Sequence, residues 1–277
     1  MAQVKKELAK IITQDKLAAD IYNMWIETDM AKWAKAGQFI SLFTKDKSKL
    51  LPRPISICEI NKDEGLIRIV YRVTGKNTGT KEFSAMHPGE YVEIMGPLGN
   101  GFSWEGFGDK KIMLVGGGIG IPPMLQLAKE LKQCDSINLQ MIMGYKDEVF
   151  LVEEFKELGD LYNTCEEDIE NINTLYKMDN LNSIKGNVMD AINQYNLDAD
   201  ILYSCGPLPM LKAVKSFAES KSITCYISME EKMACGIGAC LACVCKTKEK
   251  DMNSNLHKQR ICKEGPVFLS TDLDFES

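Results

Sequence analysis

The chain has 277 residues, about two domains' worth at ~150 residues each, and its 45% hydrophobic and 26% charged content excludes a disordered or collagen-like polymer. The 33 basic residues against 39 acidic ones leave a net charge of −6, which argues against nucleic acid or an anionic membrane as the main partner. No apolar run approaches the ~20 residues of a membrane-spanning helix, and the start, Met1 to Glu7, is too charged for a secretory signal. The expectation is a cytoplasmic protein with no membrane segment.

Residues 1–103 predict a domain of short strands. Segments 36–43, 55–60, 65–73 and 90–95 alternate apolar and polar residues between Gly, Pro or Asn turns. That pattern belongs to a small antiparallel barrel or sandwich, with room for one helix over 79–86. From about residue 104 the pattern changes. Short apolar strands at 111–115, 138–143 and 200–204 alternate with helical segments at 122–133, 152–158, 188–195 and 209–219. Strand–helix alternation predicts a doubly wound parallel α/β domain over 104–223. A strand at 224–228 leads into a cysteine-rich tail, 224–277, too short to build its own core without a metal or cluster.

Ten cysteines in a cytoplasmic chain are not expected to form disulfides. Five of them, Cys235, Cys240, Cys243, Cys245 and Cys262, fall in the tail. Cys235, Cys240 and Cys243 have the spacing C-x4-C-x2-C, which is that of a 2Fe-2S cluster needing a fourth, distant cysteine. The residues between them, Gly236, Gly238, Ala239 and Ala242, are small enough for backbone N–H groups to approach the cluster sulfurs. Structural zinc is the rival, but it typically uses two C-x2-C knuckles and only one is present. Two cysteines compete for the fourth place. Cys245 would lie about 7 Å along a strand from Cys243. Cys262 returns after a polar excursion, 246–260, that predicts a hairpin, and it is favoured, with Cys245 as a buried thiol nearby.

The run Gly116-Gly117-Gly118-Ile119-Gly120 follows a strand and opens a helix. Glycines there let amides approach a pyrophosphate at a helix N-terminus. Past the next strand, Gly144 to Glu148 offers acidic groups for ribose hydroxyls, which leans towards NAD, while Lys146 keeps NADP open. Cys205-Gly206-Pro207 ends another strand at the expected carboxyl edge, where such folds bind ligands. Arg53-Pro54-Ile55-Ser56 offers a guanidinium suited to phosphate and a hydroxyl able to donate to a ring nitrogen. Val70-Tyr71-Arg72 and Gly79-Thr80 read alone as a strand end and a helix cap.

In chain order these pieces resemble the ferredoxin–NADP reductase superfamily. The match runs through Arg53-Pro54-Ile55-Ser56, Val70-Tyr71-Arg72, Gly79-Thr80, Gly96 to Phe102, the glycine run and Cys205-Gly206-Pro207. The tail, with Cys262-Lys-Glu-Gly-Pro-Val-Phe268, narrows the resemblance to the electron-transfer subunits of dihydroorotate dehydrogenase B. The resemblance covers essentially the whole chain. It implies an FAD-binding barrel, an NAD-binding α/β domain and a C-terminal 2Fe-2S domain. It implies Arg53 on the FAD pyrophosphate, Pro54 and Ile55 among the FAD-binding residues, Ser56 near the flavin ring, Val70, Tyr71 and Arg72 lining it, and Gly79 and Thr80 on the pyrophosphate. NAD falls to Gly116, Gly117, Gly118, Gly120, Cys205, Gly206 and Pro207, and the cluster to Cys235, Cys240, Cys243 and Cys262. It further implies an FMN-containing catalytic subunit as partner, a heterotetramer of two copies each, and a place in pyrimidine biosynthesis. A related reductase subunit serving a hydrogenase or a transhydrogenase-like flavoprotein is the alternative. A non-catalytic, zinc-stapled nucleotide-binding regulator is a third. Cys245 and a longer loop before Cys262 are departures from the family pattern.

Overall fold

The computed structural model describes residues 4–104, 106, 108–134, 136–167, 182–250 and 255–275. Residues 1–3 of the charged start and 251–254 of the polar excursion lie outside the described residues. Two compact units emerge. One runs up to Phe102 and includes Met229–Phe268, and the other is Ser103–Ser228 with Leu269–Thr271.

The first unit is a closed antiparallel barrel. Its strands are β1 (Lys5–Ala18), β2 (Ile21–Glu27), β3 (Phe39–Phe43), β4 (Arg53–Asn61), β5 (Leu66–Arg72) and β6 (Tyr91–Leu98), in the order β1-β2-β5-β4-β3-β6. Side chains alternate across each strand. Ile40 and Leu42, Ile57, Ile67, Ile69 and Tyr71 therefore fill one core with Met24, Ile26, Phe83 and Ile94. A short helix, α1 (Gly79–Phe83), follows β5 and is capped by Thr78, whose hydroxyl accepts from the Lys81 amide.

Strand β1 departs from the expected short strands. It has 14 residues and pairs with β2 in a long hairpin. Its first half hides the strand period: Leu8 is 66% exposed, while neighbouring Glu7 turns in to accept from the Thr28 hydroxyl and to pair with Lys5. An apolar residue out and a carboxylate in is the reverse of the pattern that marks a strand.

The stretch Met229–Phe268, which holds the five tail cysteines, belongs to the barrel unit. Asn100, at the end of the Gly96 to Phe102 segment, fastens it. Its Nδ2 donates to the carbonyls of Glu264 and Val267, both at 2.9 Å, and its Oδ1 accepts from the Val267 amide at 3.2 Å. The Asn100 amide adds a bond to the Gly265 carbonyl at 2.7 Å. Asn100→Ala removes the three side-chain bonds, a local cost of about 1–3 kcal/mol at this partly exposed site. At tenfold per ~1.4 kcal/mol, hydrogen exchange at the Val267 amide should quicken by roughly 5- to 150-fold while exchange in β3 stays put. Unchanged exchange at Val267 would show that the tail is held by other contacts.

The second unit is a parallel sheet of β10-β9-β8-β7-β11-β12. The strands are β7 (Lys111–Gly117), β8 (Asn138–Tyr145), β9 (Asp160–Cys165), β10 (Asn182–Lys185), β11 (Ile201–Cys205) and β12 (Thr224–Ser228). Helices α2 (Pro122–Lys132), α3 (Val152–Lys156), α4 (Val188–Gln194) and α5 (Leu208–Lys221) complete it. The chain steps outward from β7 to β10, then returns beside β7 for β11 and β12. With right-handed crossovers, that reversal puts helices on both faces. Strands β9 and β10 were not expected from the sequence: β9 carries polar residues inward, with Asn163 and Thr164 buried, and β10 is only four residues long with a single buried side chain, Ile184. The Ser270 amide of Leu269–Thr271 donates to the Cys225 carbonyl beyond β12. Among the described residues no helix is long and apolar enough to cross a membrane.

Candidate functional site

Three candidate centres can be built from the residues upward, two on the barrel unit and one on the α/β unit.

The first is the cysteine loop. Gly236 and Gly238 both have positive φ, at +70° and +83°. They curl the chain so that successive amides point inward. A side chain at Gly236 would come within 3.1 Å of Leu98 and 3.2 Å of Met95, so glycine is also what seats the loop on β6. Cys235 Sγ accepts from the amides of Ala239 at 3.3 Å and Cys240 at 3.4 Å. Burial alone would raise this thiol, but N–H donors from Ile237, Cys240 and Ala239 and the neighbouring Cys240 thiol outweigh it and lower it to about 6.

Past the loop, β13 (Val244–Lys246) and β14 (Lys258–Arg260) pair antiparallel, the hairpin expected from the polar excursion. The Ile261 amide donates to the Cys243 carbonyl at 2.8 Å, which brings Cys262 beside Cys243. Both are buried. Burial, and then the Cys243 thiol against it, push Cys262 up to about 12. Cys235 thus has the Cys240 thiol as neighbour and Cys262 the Cys243 thiol, and Cys235 is close enough to act on Cys262 as well. Among the described residues no three of Cys, His, Asp or Glu converge on a single point as one ion would require. A two-iron cluster takes four thiolates between its two metals, so paired thiols beside inward amides fit it, and bound iron supplies the charge that lets both buried thiols ionise. Cys245 is turned to the hairpin, although the Cys243 thiol is near enough to add to the upward push on it. It lies opposite Gln259 in the hairpin, donates to the Gln259 carbonyl at 3.6 Å, and is pushed up to about 11 by burial.

The second centre lies on β4, β5 and α1. The Arg53 side chain lies directly on Gly79: a Cβ there would stand 2.9 Å from Nε and 3.0 Å from Cζ. Two separate motifs are therefore joined into one cradle of a guanidinium and the first amides of α1, a donor set suited to a pyrophosphate. The Thr80 hydroxyl, beside that of Thr78 at 3.1 Å, accepts from the Thr74 amide. Pro54 and Ser56 alternate with the inward Ile55 and Ile57, and Val70 and Arg72 with Tyr71, so these four point away from the barrel core on neighbouring strands, with Val70 itself buried at 2% exposure. Tyr71 does not join them. Its ring is 1% exposed, stacked on Tyr22 at 6.0 Å, and its hydroxyl accepts from Gln14 Nε2 at 2.9 Å. Burial raises its phenol well above the ordinary value.

The third centre lies at the carboxyl edge of the parallel sheet, where the strand order reverses between β7 and β11. Cys205 is in register with Gly116. A Cβ on Gly120 would stand 2.4 Å from the Cys205 carbonyl oxygen, and one on Gly117 would stand 3.0 Å from Pro207. The glycine run and Cys205-Gly206-Pro207 are therefore packed backbone to backbone at the topological switch point, the place where open α/β sheets bind ligands. Lys146, past the end of β8, pairs with Glu167 at 3.6 Å, and the Tyr145 hydroxyl donates to the Phe150 carbonyl.

Sequence reading gave no role to Arg260. Its guanidinium forks onto the Glu264 carboxylate and donates through Nη1 to the Gly238 carbonyl at 2.9 Å. The contact spans 22 residues, and nothing in the local sequence marks it.

Comparison with known proteins gives these centres a family. Residues 9–102 match the oxidoreductase FAD-binding domain, residues 114–216 the oxidoreductase NAD-binding domain, and residues 230–274 the iron-sulfur cluster binding domain of dihydroorotate dehydrogenase B. The chain is 37% identical over 270 residues to the dihydroorotate dehydrogenase B (NAD(+)) electron transfer subunit of Caldanaerobacter subterraneus subsp. tengcongensis, covering 98% of this chain and 99% of that one. It is 40% identical to the protein of the same name from Fusobacterium nucleatum, covering 94% and 95%. Among solved structures, it is similar to an NADH-dependent reduced ferredoxin-NADP oxidoreductase studied for flavin-based electron bifurcation. That likeness has a TM-score of 0.81 and 27% identity over 98% of this chain and 91% of the other. The chain belongs to the family of dihydroorotate dehydrogenase B electron transfer subunits, and it is a flavin- and NAD-dependent oxidoreductase subunit with an iron-sulfur domain.

Proposed function

We propose that this chain carries electrons from the FMN of a dihydroorotate-oxidising catalytic subunit, through a 2Fe-2S cluster and FAD, to NAD+. The observation that carries this reading is the double pair of cysteines built onto the same barrel unit as the Arg53–Gly79 cradle. FAD, when bound, exchanges hydride with NAD and single electrons with an iron-sulfur cluster.

The chain's own residues position these groups. Arg53 and the amides at Gly79 and Thr80 hold the FAD pyrophosphate. Pro54, Ser56 and Arg72 face the flavin ring, with the buried Val70 backing them, and the Ser56 hydroxyl donates to it. Ile55 and Tyr71 contribute through backbone groups, since their side chains serve the core. Cys235 and Cys240 hold one iron, and Cys243 and Cys262 the other. The amides of Gly116, Gly117, Gly118 and Gly120 receive the NAD pyrophosphate beside Cys205, Gly206 and Pro207. No proton donor is demanded of the chain, because the acid–base chemistry of dihydroorotate oxidation falls to the partner.

Cys240 is exposed, and Ile237 and Leu241 beside it are 53% and 61% exposed. An apolar rim around a redox group supports docking of a partner there. We assign the chain to the cytoplasm, to pyrimidine biosynthesis and to a heterotetramer with two catalytic subunits, the closed symmetric arrangement being the common one. The purified chain is expected to oxidise NADH with artificial acceptors but not to turn over dihydroorotate with NAD+. Adding the FMN-containing catalytic subunit should restore that reaction. Robust dihydroorotate turnover by the chain alone would overturn the proposal. Co-purification with a different flavoprotein in place of that subunit would redirect it to another reductase, the kind of protein its structural relative represents.

A further inference from the structure

We infer that Arg260 is a positioning residue for the cluster: by holding the Gly238 carbonyl it aims the Ala239 N–H at Cys235 Sγ and so raises the cluster's affinity for an electron. The inference rests on the 2Fe-2S reading of the four cysteines.

The geometry runs through a single peptide plane. Gly238 supplies the carbonyl and Ala239 the N–H of one trans peptide, so the two groups point in opposite directions. The carbonyl accepts from Arg260 Nη1 at 2.9 Å, and the N–H donates to Cys235 Sγ at 3.3 Å. Both ends of the plane are pinned, and rotation that breaks one bond breaks the other. Arg260 is itself fixed. Glu264 Oε2 accepts from its amide at 2.8 Å and from Nε at 2.9 Å, and Oε1 accepts from Nη2. The fork orients the guanidinium so that Nη1 reaches the Gly238 carbonyl. Gly238 has φ +83°, a backbone conformation that favours glycine, and a Cβ on it would press on the Lys263 side chain at 2.8 Å.

The consequence follows from charge. A carbonyl turned towards a thiolate-bound cluster would repel it. An N–H turned towards a cluster sulfur stabilises the reduced, more negative state over the oxidised one. Hydrogen bonds to the sulfurs are one of the levers a protein has on such potentials. Arg260 makes that orientation the resting one without touching a cysteine.

The test uses the full-length protein carrying its cofactors, with iron and sulfide measured first. A wild-type protein without cluster would sink the 2Fe-2S reading itself, separately from this inference. With the cluster present, its reduction is titrated by electron paramagnetic resonance, and the Fe–Sγ stretching bands are read by resonance Raman. Arg260→Gln should move the reduction equilibrium about two- to tenfold towards the oxidised form, the worth of one hydrogen bond. A tenfold change corresponds to about 59 mV for one electron. Arg260→Lys keeps the charge but cannot fork onto Glu264 while bonding Gly238, so it should move in the same direction by less, with a shifted Fe–Sγ band. A wild-type potential in Arg260→Lys would overturn the inference: with Arg260→Gln shifted, charge alone acts, and with Arg260→Gln unshifted, Arg260 does not act on the cluster. Loss of the cluster in both variants would make Arg260 a residue of assembly only, and would overturn it as well.

Discussion

Cys262→Ser is expected to lose most of the iron and sulfide, while Cys245→Ser keeps both. Iron is held by thiolate, and a serine hydroxyl stays protonated at neutral pH, so the substitution removes a ligand while hardly changing the volume. Cys262 is buried against Cys243, and each iron of a two-iron cluster needs both members of its pair. Without the metal, two neighbouring buried groups face each other with nothing to draw them together, and the tail around Gly265 should loosen. Cys245 is differently placed. It lies in register with Gln259, two residues up the hairpin from Cys243, and its thiol spends its hydrogen on the Gln259 carbonyl. Serine can make that bond at least as well. Iron and acid-labile sulfide per chain, with the visible spectrum of each variant, decide the matter. A cluster-free Cys245→Ser beside an intact Cys262→Ser would reverse the assignment of the fourth ligand.

Arg53→Ala should weaken FAD binding by about 10- to 150-fold, the ~1.5–3 kcal/mol of one charge-assisted hydrogen bond. The guanidinium lies on Gly79, so the cradle can also be broken from the other side. Gly79→Ala places a methyl 2.9 Å from Arg53 Nε, too close for the side chain to remain where it is. The two variants should therefore resemble each other, and the double variant should cost less than their sum because both act on one contact. Titration of the flavin-free protein with FAD measures all three. Unchanged affinity in Arg53→Ala would mean that the pyrophosphate is held elsewhere on the chain. Strict additivity in the double variant would mean that Arg53 and Gly79 act apart.

Features whose chemistry is local were legible in the amino-acid sequence. Three cysteines at C-x4-C-x2-C with glycines between them can wrap a cluster wherever they occur, because ligand reach is fixed over a few residues. The glycine run after β7 predicted its own strand–helix turn for the same reason. Strand–helix alternation over residues 104–223 was legible because β7, β8 and β11 are largely apolar, whereas β9 and β10 escaped it. The barrel was legible as a class but not strand by strand, since β1 carries Glu7 inward and Leu8 outward and so conceals its period.

Everything that depends on a distant partner had to wait for the folded chain. The stretch Met229–Phe268 folds with the barrel because Asn100 reaches the backbone at Glu264 and Val267, 164 and 167 residues away. Arg53 meets Gly79 because β4 and α1 close on each other, which neither motif announces. Tyr71 sits in a motif associated with flavin, yet the alternation of β5 commits its ring to the core beside Phe83. Arg260 acquires its place from a hairpin that brings it under Gly238. A side chain's chemistry can be read from its letter. The group it acts on is chosen by which strand lies next to it, and pairing of that kind is a property of the tertiary structure.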